Sequence, residues 1–384
     1  MSLSFARTLL AGGIAALALL GAAAQAETFE VLHVFAGGDD GAVPEGGVTL
    51  GPDGAIYGTA NGAGAGNGGT LFQIVGGQFQ VLHPFGSGAD GSAPRGALVF
   101  TRAGDLVGTT YYGGTNQAGT VFRYRDGRYD LLASLPAEAK GPESGLLEGD
   151  DGALYGTTAL GGSRDDLGTL FRLDPLTAQT TIVHAFDGKG GSYPQSTPVL
   201  SGGRLAGTTG YGGKFKHDYE GPGVLYSVAM DGSGYASRTP TDGSELFGGL
   251  TADRKGRLWG VAYNHGPDGG GGVFRVDAGG RTEWVHTFVR GFDVGGGYPL
   301  GTLLLAADGM LYGTTQVGGT APLRKGTVFR IDPATGAFKI VHSFDGTDGY
   351  APAGVLAQDP QGRIVGATSR GGPLDLGVVY RLTP

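Results

Sequence analysis

Histidine is the residue whose spacing first invites a chemical reading. Five of the seven histidines sit in one short phrase: Val31–Phe35 (VLHVF), Val81–Phe85 (VLHPF), Ile182–Phe186 (IVHAF), Trp284–Phe288 (WVHTF) and Ile340–Phe344 (IVHSF). Imidazoles brought together hold metals or move protons near neutral pH; the same imidazoles spread around a repeat are structural. The other two lie in a different setting. Gly212–Gly223 (GGKFKHDYEGPG) groups Lys214, Lys216, His217, Asp218, Tyr219 and Glu220, and His265 lies on the corresponding stretch one copy later. There two histidines and two carboxylates can meet as a metal or acid–base site, or stand as ordinary surface residues. Asp39-Asp40-Gly41 and Asp345-Gly-Thr-Asp348-Gly carry oxygen ligands of the kind calcium takes, without the spacing of an established calcium loop. No cofactor is therefore expected, calcium being the one ion these loops bring into question. With no cysteine, thiolate–zinc sites and disulfides are excluded. Gly64-Ala65-Gly66-Asn67-Gly68-Gly69 matches G-x-G-x-x-G. A dinucleotide loop must open a helix, and the next segment, TLFQIV, reads as a strand.

The elements that position these residues follow from the repetition. Copies aligned on the histidine phrase begin at Phe29, Phe79, Tyr129, Thr180, Tyr235, Thr282 and Phe338. A period near fifty residues marks a solenoid or a propeller. Each copy holds four short apolar, β-branched runs separated by turn residues. In the sixth, Thr302–Ala306, Leu311–Thr315, Gly326–Ile331 and Lys339–Phe344 serve as strands A, B, C and D. Glycine makes up 80 of 384 residues, about three times the usual ~7%. The triplet period of collagen is absent, and 40% apolar residues is too many for a disordered chain. A turn-dense β repeat remains. The predicted fold is all-β, a seven-bladed propeller of four-stranded antiparallel blades. The first copy opens on a D strand and the last ends on a C strand. Phe29–Phe35 should therefore pair with Gly377–Leu382 and leave no open edge.

The recurring text LYGTT…GG…GTLFRLD at Leu154–Asp174 returns as LVGTTYYGG…GTVFRY at Leu106–Tyr124 and LYGTTQVGG…GTVFRI at Leu311–Ile331. It resembles the GloVer tandem-repeat proteins, exported bacterial proteins whose members end in different surface anchors. The resemblance covers nearly the whole chain after residue 26 and implies a repeat fold without implying a chemistry. Two departures stand out. The chain ends at Arg381-Leu-Thr-Pro384 without an anchor, and copy five is degenerate, with LWGVA at Leu258–Ala262 and RTPT in place of the histidine phrase.

Residues 1–26 read as an export signal: Arg7, an apolar run over Leu9–Leu20 and the small-x-small site Ala24-Gln25-Ala26. The run falls short of the ~20 residues of a membrane span. A single domain over residues 27–384 is expected, secreted or periplasmic, monomeric, with no transmembrane segment after cleavage. Its 26 basic against 35 acidic residues disfavour a nucleic-acid partner.

Alternating strands place the D→A and B→C loops on one face of the disc and the short A→B and C→D turns on the other. The histidines of the phrase then lie on outermost strands, packed between blades and hydrogen-bonded to backbone. The GTT glycines are expected to admit a neighbouring blade, and the paired glycines after them suit turns with positive φ. Eight of the 16 tyrosines fall in the long loops, with Asp39, Asp40, Asp90, Asp187, Asp345 and Asp348 beside them. Aromatic faces next to carboxylates suit sugar rings, although Tyr-Pro and Asp-Gly are also plain turn chemistry. The candidate ligand residues are Tyr112, Tyr193, Tyr211, His217, Asp218, Tyr219, Glu220, His265, Tyr298 and Tyr350, with no catalytic or metal residue assigned. The expected function is non-catalytic binding of a carbohydrate or cell-surface ligand on this face. A polysaccharide-active hydrolase or lyase and an envelope interaction scaffold are the alternatives.

Overall fold

The computed structural model describes residues 27–86, 88–162, 165–213, 221–240, 245–277, 280–291 and 293–384. Among them there is no helix, and the strands form seven antiparallel blades around one axis. Blade 1 pairs Val48–Leu50, Ile56–Ala60, Thr70–Val75 and Gln78–Pro84 in that order, which correspond to strands A to D. Blade 7 takes Tyr350–Gln358, Ile364–Arg370 and Val378–Thr383 from the end of the chain and completes itself with Thr28–Val34. That first strand runs antiparallel to the last from Thr28↔Thr383 to Val34↔Val378, so the ring closes as expected. The core consists of layers between blades. One layer holds Phe35, Val365 and Val379 of blade 7 against Val48, Ile56 and Phe72 of blade 1.

The GTT phrase divides its work by residue. In blade 2, Gly108 pairs across the strands with Phe122, whose ring lies over it. A Cβ there would meet Phe122 Cζ and Leu98 Cδ2, each at 2.6 Å. Gly156 stands likewise under Phe171 and Gly313 under Phe329. The atom that approaches each glycine is thus an aromatic ring of the same blade, not the neighbouring blade. The threonine that follows makes the inter-blade contact. Thr109 Oγ1 donates to the Ser144 carbonyl (3.2 Å) and Thr157 Oγ1 to the Ser196 carbonyl (3.1 Å). The second threonine bonds within the blade: Thr110 to Thr120 at 2.7 Å and Thr158 to Thr169 at 2.7 Å. The paired glycines adopt positive φ, at 90° and 74° for Gly113 and Gly114.

The five phrase histidines clamp neighbouring blades at the rim. Each imidazole lies flat on an aromatic residue at the entry to the next D strand. His33 stacks on Phe79, His83 on Tyr129, His184 on Tyr235, His286 on Phe338 and His342 on Phe29, with centroids 3.6–3.9 Å apart. A β-bulge just before the histidine turns the side chain toward that neighbour. The hydrogen-bond partner differs from the expected backbone group. His33 Nε2 meets Asp40 at 3.1 Å, His83 meets Asp90 at 3.3 Å and His342 meets Asp348 at 2.8 Å. Three of the loop aspartates read as ligand-facing are therefore rim scaffold. Burial lowers the pKa of His33, His83, His184 and His286, and a nearby aspartate opposes this in each case: Asp40, Asp90, Asp187 and Asp268 respectively. The two D strands without the histidine, carrying Ala133 and Thr239, face D strands that begin with Thr180 and Thr282. The clamp is present or absent as a pair.

Candidate functional site

The D→A and B→C loops lie together on one face, joined by the bridges Ala42↔Gly62, Ser92↔Tyr112 and Ser192↔Tyr211. Where each D→A loop reaches the axis, one residue per blade splices three segments. It lies before proline in six of the seven copies: Val43, Ala93, Gly141, Tyr193, Glu245, Tyr298 and Ala351, with Glu245 before Leu246 instead. Tyr193 donates its amide to the Leu167 carbonyl of the preceding blade (2.9 Å), and its own carbonyl accepts from Gly210 (3.1 Å). Most of these residues sit in the left-handed region, Gly141 at φ 63°. Val43, Ala93, Tyr193, Tyr298 and Ala351 hold φ between 50° and 60° there, a conformation that non-glycine residues seldom adopt.

The residue one position beyond the proline, or beyond Leu246 in blade 5, faces the channel. Around the ring these are Glu45, Arg95, Glu143, Gln195, Phe247, Leu300 and Ala353, and all seven line a cavity of about 320 Å³. The ring has two unlike halves. In the polar half Arg95 Nη1 donates to Glu143 at 2.7 Å, its Nε lies 3.8 Å from Glu45, and its guanidinium covers the face of Tyr111 at 4.4 Å. Asn61 donates to Glu45 (2.5 Å), and Gln195 donates to the second oxygen of Glu143. Burial raises the carboxyl pKa of Glu45; Arg95 and Asn61 offset part of that, and Glu143 adds to it.

The other half is aromatic. Tyr193–Tyr211 (5.9 Å), Tyr211–Phe247 (5.4 Å), Phe247–Tyr263 (5.7 Å) and Tyr263–Tyr298 (5.4 Å) form an unbroken arc of five rings over blades 4 to 6. It joins the cavity through Phe247, and through Tyr263, whose hydroxyl donates to the cavity-lining Gln316 at 3.2 Å. Burial raises the phenol of Tyr193 to about 12 and, helped by Glu245, raises those of Tyr211 and Tyr263.

The structure unites some of the sequence-predicted residues. Tyr193, Tyr211 and Tyr298 belong to the arc. Tyr112 packs edge-on against Tyr111 in the polar half, at 4.5 Å. His265 is exposed on the blade 5 loop, in the left-handed region, bonded to Asn264 (2.7 Å). Tyr350 lies under Lys325 at 4.2 Å and makes no ring contact with the arc among the described residues. His217, Asp218, Tyr219 and Glu220 lie outside the described residues. Among those described, no group of three or more His, Asp or Glu is placed to hold a metal ion.

Sequence reasoning missed Glu45, Arg95, Glu143, Gln195, Phe247 and Gln316, and it counted Tyr263 among the long-loop tyrosines without making it a candidate ligand residue. The signal was in the repeat. VPEGG, APRGA, GPESG and YPQST keep the proline and vary the residue after it, and that variable position faces the axis.

A family profile described as the Gloeobacter/Verrucomicrobia repeat matches residues 21–219 and 214–384. No curated protein sequence matches. Solved structures share the fold at low identity. The extracellular domain of a hybrid two-component system from B. thetaiotaomicron aligns at 14% identity and TM-score 0.57 over 92% of this chain; the chain spans 40% of that protein's length. An oligogalacturonate lyase from Vibrio parahaemolyticus aligns at 10% identity and TM-score 0.57, covering 90% of both chains. A fungal alcohol oxidase in complex with copper aligns at 14% identity and TM-score 0.59, covering 90% of this chain and 75% of the oxidase.

Proposed function

This chain belongs to the Gloeobacter/Verrucomicrobia repeat family, and on that premise we propose that it is an exported, non-catalytic binding protein that takes a carbohydrate chain at the channel mouth on its long-loop face. The observation that supports this reading is the aromatic arc opening onto a cavity of about 320 Å³. Rings that meet tilted or edge to face offer apolar platforms to sugar faces. Glu45, Gln195 and Gln316 beside them offer acceptors and donors to hydroxyls. Concave sites of this composition are where ligands bind, and loops on a rigid ring hold such groups in place.

The test is a glycan array followed by titration calorimetry. Tyr211→Ala combined with Tyr263→Ala should abolish binding of the best array ligand. Leu176→Ser, in a C→D turn on the opposite face, should leave it unchanged. Absence of binding to every polysaccharide on the array overturns the reading.

A second reading draws on Glu45. A carboxyl raised by burial beside a second carboxyl at the same mouth is the arrangement that acid–base cleavage of a polysaccharide uses. Release of reducing ends by the purified protein, lost in Glu45→Gln, would replace the binding reading with this one.

A further inference from the structure

Charge at the mouth is unbalanced in a way that selects among carbohydrates. Among the described residues, the mouth and the arc together carry Glu45, Glu143 and Glu245 against one cation, Arg95. That cation is already engaged by Glu143 at 2.7 Å, by Glu45 at 3.8 Å and by the ring of Tyr111 at 4.4 Å. A ligand carboxylate would have to displace two protein carboxylates to reach it.

Glu245 is placed differently from the other two acids. Its backbone is fixed in the axial ring: its amide donates to Asn264 Oδ1 (3.4 Å) and its carbonyl accepts from Tyr263 (2.8 Å). Its half-buried carboxylate has no cation partner among the described residues. At the same splice position in blades 4 and 6, Tyr193 and Tyr298 put their rings in the arc against Tyr211 and Tyr263, and Glu245 occupies that position in the blade between them; its charge helps to raise the phenols of Tyr211 and Tyr263. Phe247 stands between these two, with interplanar angles of 88° to Tyr211 and 74° to Tyr263. Rings set at such angles form a corner, and a carboxylate beside the corner strengthens the field that attracts a positive charge to the ring faces. A neutral sugar uses the rings and can give Glu245 a hydroxyl hydrogen bond, but only a cationic sugar also gains from its charge. An anionic sugar is repelled.

From this arrangement we infer that the carbohydrate taken at the mouth carries free amino groups, and that an ammonium seats in the corner of Tyr211, Phe247 and Tyr263 beside Glu245. The inference rests on the carbohydrate-binding reading and adds the class of sugar. The full chain would be titrated at low salt with three oligosaccharides of equal length: fully deacetylated chito-oligosaccharide, its N-acetylated form and oligogalacturonate.

The deacetylated chain should bind roughly 5- to 30-fold more tightly than the N-acetylated one, a cation–π increment in a partly desolvated site. Added salt should weaken only the former. Glu245→Gln should erase the difference, and oligogalacturonate should bind weakest to the unsubstituted chain. Equal binding of the first two overturns the ammonium inference and leaves carbohydrate binding standing. So does a preference for the deacetylated chain that persists in Glu245→Gln, or tighter binding of oligogalacturonate. Failure of all three chains and of the wider array overturns both.

Discussion

Removing one rim clamp should destabilise the ring by an amount that its geometry sets in advance. His33 lies on the ring-closing strand and stacks on Phe79 of blade 1 with centroids 3.7 Å apart and planes 9° from parallel. Its Nε2 bonds Asp40 at 3.1 Å, and it meets Phe35 edge-on at 4.8 Å. His33→Ala removes one hydrogen bond, worth about 1 kcal/mol, and a ring stack worth about 0.5–1.5 kcal/mol beyond area. Asp40 keeps its bond from the Ala36 amide (2.8 Å), so no new unpaired acceptor adds to the cost. The single variant should therefore lose roughly 1.5–2.5 kcal/mol. Phe79→Ala loses the same stack together with half-buried ring area. The double variant should be less destabilised than the two singles summed, by a coupling of about 0.5–1.5 kcal/mol. Urea unfolding followed by tryptophan fluorescence reads these differences from midpoints at constant slope. His33 with Tyr129, two blades away, serves as the uncoupled control. A His33–Phe79 coupling below about 0.3 kcal/mol, no larger than the control, would refute the clamp.

Two further outcomes follow from the same scaffold. Burial lowers four rim histidines, so the unfolded chain binds protons that the folded chain resists. This contribution to stability is complete above the ordinary histidine pKa of ~6.5 and is lost as pH falls through that value toward the folded ones; urea midpoints should drop between pH 8 and pH 5, and a midpoint that holds or rises contradicts it. Gly156→Ala would place a Cβ 2.8 Å from both Leu146 Cδ2 and Phe171 Cζ. It should cost about 1–3 kcal/mol by overpacking, and a change within about 0.5 kcal/mol would show that the ring over the glycine can shift freely.

What the sequence disclosed, and what it hid, divides along the repeat. Seven copies of one phrase expose the blade count, the strand order and the closure by Phe29–Phe35, because each copy reinforces the reading of the others. The histidines could be assigned to the rim from their strand alone. Their acceptors could not, since Asp40, Asp90 and Asp348 lie six or seven residues away on loops whose turn no local pattern specifies. The glycine of GTT was correctly read as a close approach, but its visitor was misplaced. The cross-strand pairing of Gly108 with Phe122 depends on the B–C register, which the loop between them hides. Tyr193, Tyr211 and Tyr298 were found because tyrosine in a long loop draws notice. Glu45, Arg95 and Glu143 were passed over because a charged residue after proline resembles any exposed turn.

The separation of scaffold from site has a physical basis. At the axis each blade is held by backbone: Asn61 donates to the Val43 carbonyl (3.1 Å), Tyr111 to that of Ala93 (3.1 Å), Gly210 to that of Tyr193 (3.1 Å) and Tyr263 to that of Glu245 (2.8 Å). Valine, alanine, tyrosine and glutamate all serve in this role, because the bond uses only atoms that every residue has. The side chains at these positions and at their post-proline neighbours are thereby freed from holding the ring together. Elsewhere the blade has no such freedom. Gly108 must stay bare under Phe122, Thr109 must reach Ser144, and an imidazole at the rim needs an aromatic partner on the next strand. A sevenfold scaffold would by itself present seven identical side chains to its channel. This one presents Glu45, Arg95, Glu143 and Gln195 on one side and Phe247, Leu300 and Ala353 on the other. An asymmetric mouth in a symmetric frame arises where backbone bonding leaves the side chains free to differ.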